Sequence, residues 1–331
     1  MKRRILLGTA AAALAMPRIG RAADQSLVKF VPQADLASLD PVWTTSYVTR
    51  NHGYLVYDTL YGLDEQYRPQ PQMVEGHQVD ADGLRWRLTL REGLRFHDGA
   101  PVLARDAVAS IQRWGKRDPF GQALMAATAE LSASSDRLIQ FRLRRPFPLL
   151  PNALGKAPSP MCCIMPERLA QTDAMTQITD PVGSGPYRFL TKERVQGSQC
   201  AYERFVEYVP RQEPPRFTAG GKVAKLERVE WHVIPDAGTA SSALQAGEVD
   251  WWEQPTIDLQ GVLRRSPGLV IEVIDPTGVI GTIRFNSLQP PFDDPAIDAP
   301  CSAPSTRRTS WRPSSATTRR CSATTSAISA R

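Results

Sequence analysis

The stretch DGLRWRLTLREGLRFHDGAPVLARDAVASIQRWGK, residues 82–116, carries both periodicities from which the fold is built. In its first half Trp86, Leu88 and Leu90 alternate with Arg85, Arg87, Thr89 and Arg91, the period-two pattern of a half-buried strand. Asp82-Gly83 and Asp98-Gly99 punctuate that strand as tight turns. From Asp106 to Lys116 the apolar Ala107, Val108, Ile111 and Trp114 fall on one face of a helix.

Outward from that stretch the same alternation returns twice. Ile139, Phe141 and Leu143 stand against Arg142 and Arg144, and Val229, Trp231 and Val233 repeat the pattern. A second helix is predicted over about Ala237 to Ala246, capped by Asp236 or Thr239 and ended by Gly247 in the left-handed conformation. Glu248 to Trp252 then returns to extended strand. Strands and helices mix without a strict βαβ rhythm, which points to a mixed α/β architecture and away from a single doubly wound sheet.

The two ends differ from the body. Lys2, Arg3 and Arg4 precede the uncharged apolar run Ile5 to Met16, and Ala22-Ala23 follow as small residues at a cleavage point. This is the three-part pattern of an export signal over residues 1–23, with an apolar run too short for a permanent membrane span. Arg3-Arg4 partly resembles a twin-arginine signal, so the export route stays open. With no cysteine near the cleavage point, the expected product is exported, periplasmic and soluble, without a lipid anchor.

The net charge of +6 invites a nucleic-acid reading, but the charge sits at the ends. The first 22 residues hold five basic groups and no acid, and residues 298–331 hold six arginines and one acid. Removing both from the 40 basic and 34 acidic residues leaves 29 and 33, so the body from Ala23 to Ile297 carries −4. It offers no polycation for phosphates, and nucleic acid is excluded as a partner.

Catalytic constellations are lacking. His52, His77, His97 and His232 form no pair at metal-ligand spacing, and there is no Walker loop or Gly-x-Ser-x-Gly elbow. Gly183-Ser184-Gly185-Pro186 reads as a turn before the strand Tyr187 to Leu190, and His97 as a structural residue before its Asp-Gly turn. No cofactor and no metal is expected. Cys162, Cys163 and Cys200 leave two alternatives, Cys200 paired with one of the adjacent two or three buried free thiols.

An ordered series of local signatures is more specific than any one of these. Leu39-Asp40-Pro41 is followed by Tyr57-Asp58-Thr59-Leu60, Asp82-Gly83-Leu84-Arg85-Trp86 and the run Leu90 to Pro101. Gly183 to Tyr187, Ile234-Pro235-Asp236, Ala243 to Asp250, Arg284-Phe285-Asn286 and Pro290 to Asp294 complete it. In this order the chain resembles the extracellular solute-binding proteins of the dipeptide, oligopeptide and nickel class (solute-binding family 5) of ABC importers, over about Leu27 to Ile297. The resemblance implies a periplasmic-binding-protein type II-like lobe with a small added subdomain, and a second lobe that this chain lacks. Residues 24–63 would open lobe 1, 64–160 form the added subdomain, 161–285 continue lobe 1, and 286–297 start the hinge. Ala104 departs from the threonine expected at the start of the next helix.

Such a protein would be a monomer and no enzyme, delivering small peptides or similar solutes to an inner-membrane ABC permease. Peptide-type clefts are lined by aromatics with a few polar groups. Trp43, Thr44 and Tyr47, after the first strand, and Trp251 and Trp252, after the second helix, are the candidate ligand contacts. On an alternating strand only one of the two tryptophans can face the cleft. A secreted single-lobe enzyme or adhesion domain is the alternative.

Residues 298–331 break the resemblance. They contain eight serines, six threonines, six alanines and six arginines, with Trp311 and Ile328 the only large apolar groups. That composition predicts disorder. The abrupt loss of pattern after Asp293-Asp294-Pro295 points to a frameshifted translation of GC-rich coding sequence, with a native basic tail as the alternative. A single lobe presents half a site, and weak or no ligand binding is expected.

Overall fold

The computed structural model describes residues 26–275, 286–294 and 325–330. The proposed export signal, Arg284-Phe285 and most of the tail lie outside them.

Chain order begins β1 (Leu27–Val31), α1 (Tyr47–Val56), β2 (Asp58–Thr59), β3 (Tyr61–Leu63), β4 (Pro69–Pro71), β5 (Val74–Val79) and β6 (Arg85–Leu90). It continues with α2 (Ala104–Gly115), α3 (Pro119–Ala127), β7 (Thr128–Ala133), β8 (Leu138–Leu143), α4 (Leu150–Leu154), β9 (Cys163–Ile164) and α5 (Glu167–Ala170). Then come β10 (Tyr187–Phe189), β11 (Gln199–Arg204), β12 (Arg228–His232), α6 (Ala237–Gln245), β13 (Trp251–Trp252), α7 (Ile257–Leu263), β14 (Leu269–Asp275) and β15 (Thr325–Ala330).

The alternating segments become the sheets. Trp86, Leu88 and Leu90 are buried on β6 while their neighbours are half-buried or exposed, and β8 buries Ile139, Phe141 and Leu143 in the same way. These strands are central in an antiparallel four-stranded sheet, ordered β5-β6-β8-β7. The principal sheet has seven strands in the order β10-β11-β12-β1-β13-β15-β14. At its centre β1 runs parallel to both β12 and β13.

One apolar cluster joins the two sheets. Phe30, Tyr202 and Trp231 of the large sheet belong to the same buried group as Trp86, Phe141, Ile111 and Trp114. The four-stranded sheet therefore has no core of its own. Side chains of this size contribute about 1.5–3 kcal/mol each when fully buried. A second, smaller cluster of Val31, Ala240, Leu244, Trp252 and Leu263 lies under α6 and α7. Phe30 and Val31 are consecutive and enter different clusters, as a strand's period of two requires.

Ala104 does begin α2 without a hydroxyl cap, but the Asp106 carboxylate accepts from the Leu103 N–H at 2.8 Å and supplies the other half of a capping box. Asp236 caps α6, accepting from the Thr239 N–H at 2.7 Å, and Gly247 follows that helix with φ +70°.

Two of the signature motifs are buried ion pairs. Asp40 and Arg113 meet in a bidentate contact at 3.1 and 2.6 Å, tying the loop after β1 to α2. Asp58 is wholly buried and accepts from Lys222 Nζ at 2.7 Å and Tyr208 Oη at 2.8 Å. Gly183 is required by close approach, since a Cβ there would sit 2.0 Å from the Val56 carbonyl oxygen at the end of α1. His97 locks that turn, with Nδ1 accepting from the Gly183 N–H at 3.3 Å and Nε2–H donating to the Gly185 carbonyl at 3.0 Å. The cysteine alternatives resolve to three free, buried thiols.

The backbone of Thr325–Ala330, inside the stretch whose composition predicts disorder, is a strand hydrogen-bonded between β13 and β14. Composition measures the apolar area a segment can bury, whereas a strand added to a sheet is held by main-chain hydrogen bonds that every residue but proline can make.

Candidate functional site

The topology points to the carboxyl ends of the central parallel strands as the place of a ligand crevice. From β1 the chain passes to α1 on the Phe30 face of the sheet, where Val48 and Val56 join the larger cluster. From β12 it passes to α6 on the Val31 face and returns as β13 on the far side of β1. Helices leaving adjacent parallel strands toward opposite faces mark a switch point, and ligands of open α/β sheets bind outside the strand ends there.

Polar groups just beyond those strand ends converge. Glu253 follows β13 and Gln33 lies two residues past β1; the Gln33 N–H donates to Glu253 Oε2 at 2.9 Å. Asn51 on α1 donates from Nδ2 to Glu253 Oε1 at 2.7 Å, and Arg50 Nη2 donates to Asn51 Oδ1 at 3.2 Å. The Arg50 guanidinium lies 4.6 Å from the centroid of the Tyr47 ring. Tyr47 opens α1 and is 49% exposed.

The five candidates separate into three groups. Trp251 is 36% exposed and meets Phe30 edge-on at 4.9 Å, on the α1 side of the sheet. Trp252 is 5% exposed and packed in the α6–α7 cluster, so this candidate contact is corrected to a core residue; strand alternation sends it to the opposite face from Trp251. Trp43 and Thr44 precede the helix. Arg117 covers the Trp43 ring at 4.6 Å and its Nη2 donates to the Trp43 carbonyl at 2.7 Å, while Thr44 Oγ1 accepts from the Ser46 N–H at 3.2 Å.

Gln33, Arg50, Asn51 and Glu253 escaped the sequence reading, which favoured aromatics. The available signal was positional, because Arg50 lies three residues after Tyr47 on the same helix face and Glu253 directly ends a strand.

An open groove of about 550 Å³ lies elsewhere, lined by Arg91, Val209, Pro210, Arg211, Gln212 and Glu213. Its guanidiniums are already engaged. Arg91 donates to the carbonyls of Gln72 and Val209, and Arg211 to those of Gln72 and Val74 and to the Glu213 carboxylate. The switch-point crevice is the better candidate on topology and on its converging polar groups.

Residues 68–297 match the bacterial extracellular solute-binding proteins, family 5, in the family's middle region. The chain belongs to this family. It is 39% identical over 291 residues to a probable peptide ABC transporter periplasmic-binding protein of Sinorhizobium fredii, covering 86% of this chain and 54% of that protein. It is 26% identical to the glutathione-binding protein of Salmonella typhi, covering 80% of this chain and 49% of the relative. Among solved structures, the dipeptide-binding protein of Pseudoalteromonas sp. SM9913 in complex with Met-Leu superposes with a TM-score of 0.64. That alignment has 17% identity and covers 81% of this chain and 55% of the other. The likeness carries the mixed α/β, type II binding-protein fold. The chain spans about half the length of the curated relatives it matches. Among the described residues no helix is long and apolar enough to cross a membrane.

Proposed function

We propose that this chain is the first lobe of a periplasmic substrate-binding component of an ABC importer for peptides or similar small solutes. Residues 1–23 would direct its export, and the product would be an unanchored, soluble monomer without catalytic activity that docks on an inner-membrane permease. The observation that carries the reading is the group at the strand-end switch point, where Tyr47 and Trp251 stand exposed beside the Gln33, Asn51 and Glu253 groups. Aromatic area with a few fixed polar groups is what a small-solute site needs. Trp43 and Thr44 would form its rim.

A cleft buries most of its ligand only between two walls. The residues described here form one wall, and for that wall alone the expected affinity is in the millimolar range, about 4 kcal/mol of binding free energy. Calorimetry of the 331-residue chain with di- to pentapeptides tests this; sub-micromolar binding overturns the half-site reading. The serine- and arginine-rich tail from Asp298 is read as out of frame. A single-base slip near codon 298 that restores family-like sequence would support this, and its absence from the gene would refute it.

A further inference from the structure

We propose that Arg50 is the carboxylate-binding residue of this crevice and Asn51 its positioning residue, which makes the solute an organic anion. This rests on the reading of the crevice as a solute site.

Most guanidiniums of the described chain that reach other side chains are neutralised. Arg113, Arg137, Arg142, Arg188, Arg211 and Arg228 each contact a carboxylate. Among the described residues Arg50 contacts no carboxylate, although Glu253 is only one residue removed from it through Asn51. The Asn51 amide stands between the charges, its oxygen toward the guanidinium and its nitrogen toward the carboxylate. The reverse orientation would set donor against donor and acceptor against acceptor, so the two charges fix the amide's direction. Glu253 is anchored in turn by the Gln33 N–H. The relay holds Arg50 in place with no described carboxylate in direct contact.

The geometry of the stack adds to this. The half-buried Arg50 guanidinium lies over the Tyr47 ring, which takes its face and not its edge. An arginine binds a carboxylate through that edge, with two parallel N–H···O bonds. One N–H is taken by Asn51; the others can receive a ligand. A carboxylate in the fork would place the rest of the solute along the exposed Tyr47 ring.

The test follows the arginine Nε–H resonances of the ¹⁵N-labelled 331-residue chain during titration with succinate and with its uncharged diamide, at constant ionic strength. The Arg50 signal, assigned by its loss in Arg50→Lys, should shift saturably with succinate at a dissociation constant of about 1–10 mM. The diamide should leave it still. Arg50→Gln should abolish saturable binding. Asn51→Asp, which gives Arg50 an internal carboxylate, should weaken it about tenfold although the arginine remains. Unchanged near-ultraviolet dichroism establishes that each variant is folded. Equal shifts with diamide and dianion, a linear response, or succinate binding untouched by Asn51→Asp would each overturn the proposal. Uncharged, end-blocked peptides that shift the Trp251 indole but not Arg50 would refute the anion assignment and leave the solute-binding reading standing.

Discussion

Asp40→Asn removes one charge and no volume from the pair that ties the loop after β1 to α2. Asp40 Oδ1 accepts from Arg113 Nη1 at 3.1 Å and the Val42 N–H at 3.0 Å. Oδ2 accepts from Arg113 Nη2 at 2.6 Å and the Ile178 N–H at 3.1 Å. Whichever oxygen the new amide nitrogen replaces, it faces two donors with hydrogens of its own. Arg113 is also left as an unpaired buried cation, with only 1% of its side chain exposed. Breaking a buried pair from one side costs about 3–5 kcal/mol, and nothing here is solvated enough to soften that figure. Urea unfolding followed by tryptophan fluorescence should show this loss with an unchanged slope. In the double variant Asp40→Asn/Arg113→Met the stranded cation is gone, so the two losses should fall short of additive by about 2 kcal/mol or more. A loss below about 1 kcal/mol in Asp40→Asn, or simple additivity, would refute the reasoning.

Acid should destabilise the fold through two histidines. Burial pulls His52 down to about 3 and His97 to about 4, from 6.5. Above pH 6.5 both states are neutral and stability is complete; below it the unfolded chain binds protons that the folded chain refuses. Each histidine should then remove about 1.4 kcal/mol per pH unit until its folded pKa is reached, and a urea midpoint equal at about pH 7.5 and about pH 5 would contradict this. The tryptophan pair should divide in the same experiment. Trp252→Ala opens a cavity in the α6–α7 cluster and should lose about 3–5 kcal/mol. Trp251→Ala, at a partly exposed position, should lose about 1 kcal/mol and impair solute contact instead.

Period-two alternation was enough to find β6, β8 and β12, because each has one buried face that the sequence must mark with apolar residues. The helix over 237–245 was legible from its cap and its terminating glycine. What local pattern could not carry was long-range pairing. Nothing in the neighbourhood of Asp40 names Arg113, 73 positions away, or of Asn51 names Glu253, 202 away. The aromatic candidates followed from residue type, and of them Tyr47 and Trp251 are the ones left exposed on the described surface. Residue type alone could not choose between Trp251 and Trp252; the face of the strand did. The pairing of Thr325–Ala330 has no local signal for a related reason, since strand addition depends on the sheet that receives it and not on the composition of the added segment.

The central claim concerns where a solute meets this chain. Photo-crosslinking the full chain with short diazirine-bearing peptides, followed by peptide mapping, reads that position even when binding is weak. The predicted result is adducts confined to the segments 32–51 and 251–254, suppressed by excess unlabelled solute. Adducts concentrated at 209–213, or scattered and insensitive to competitor, would contradict it.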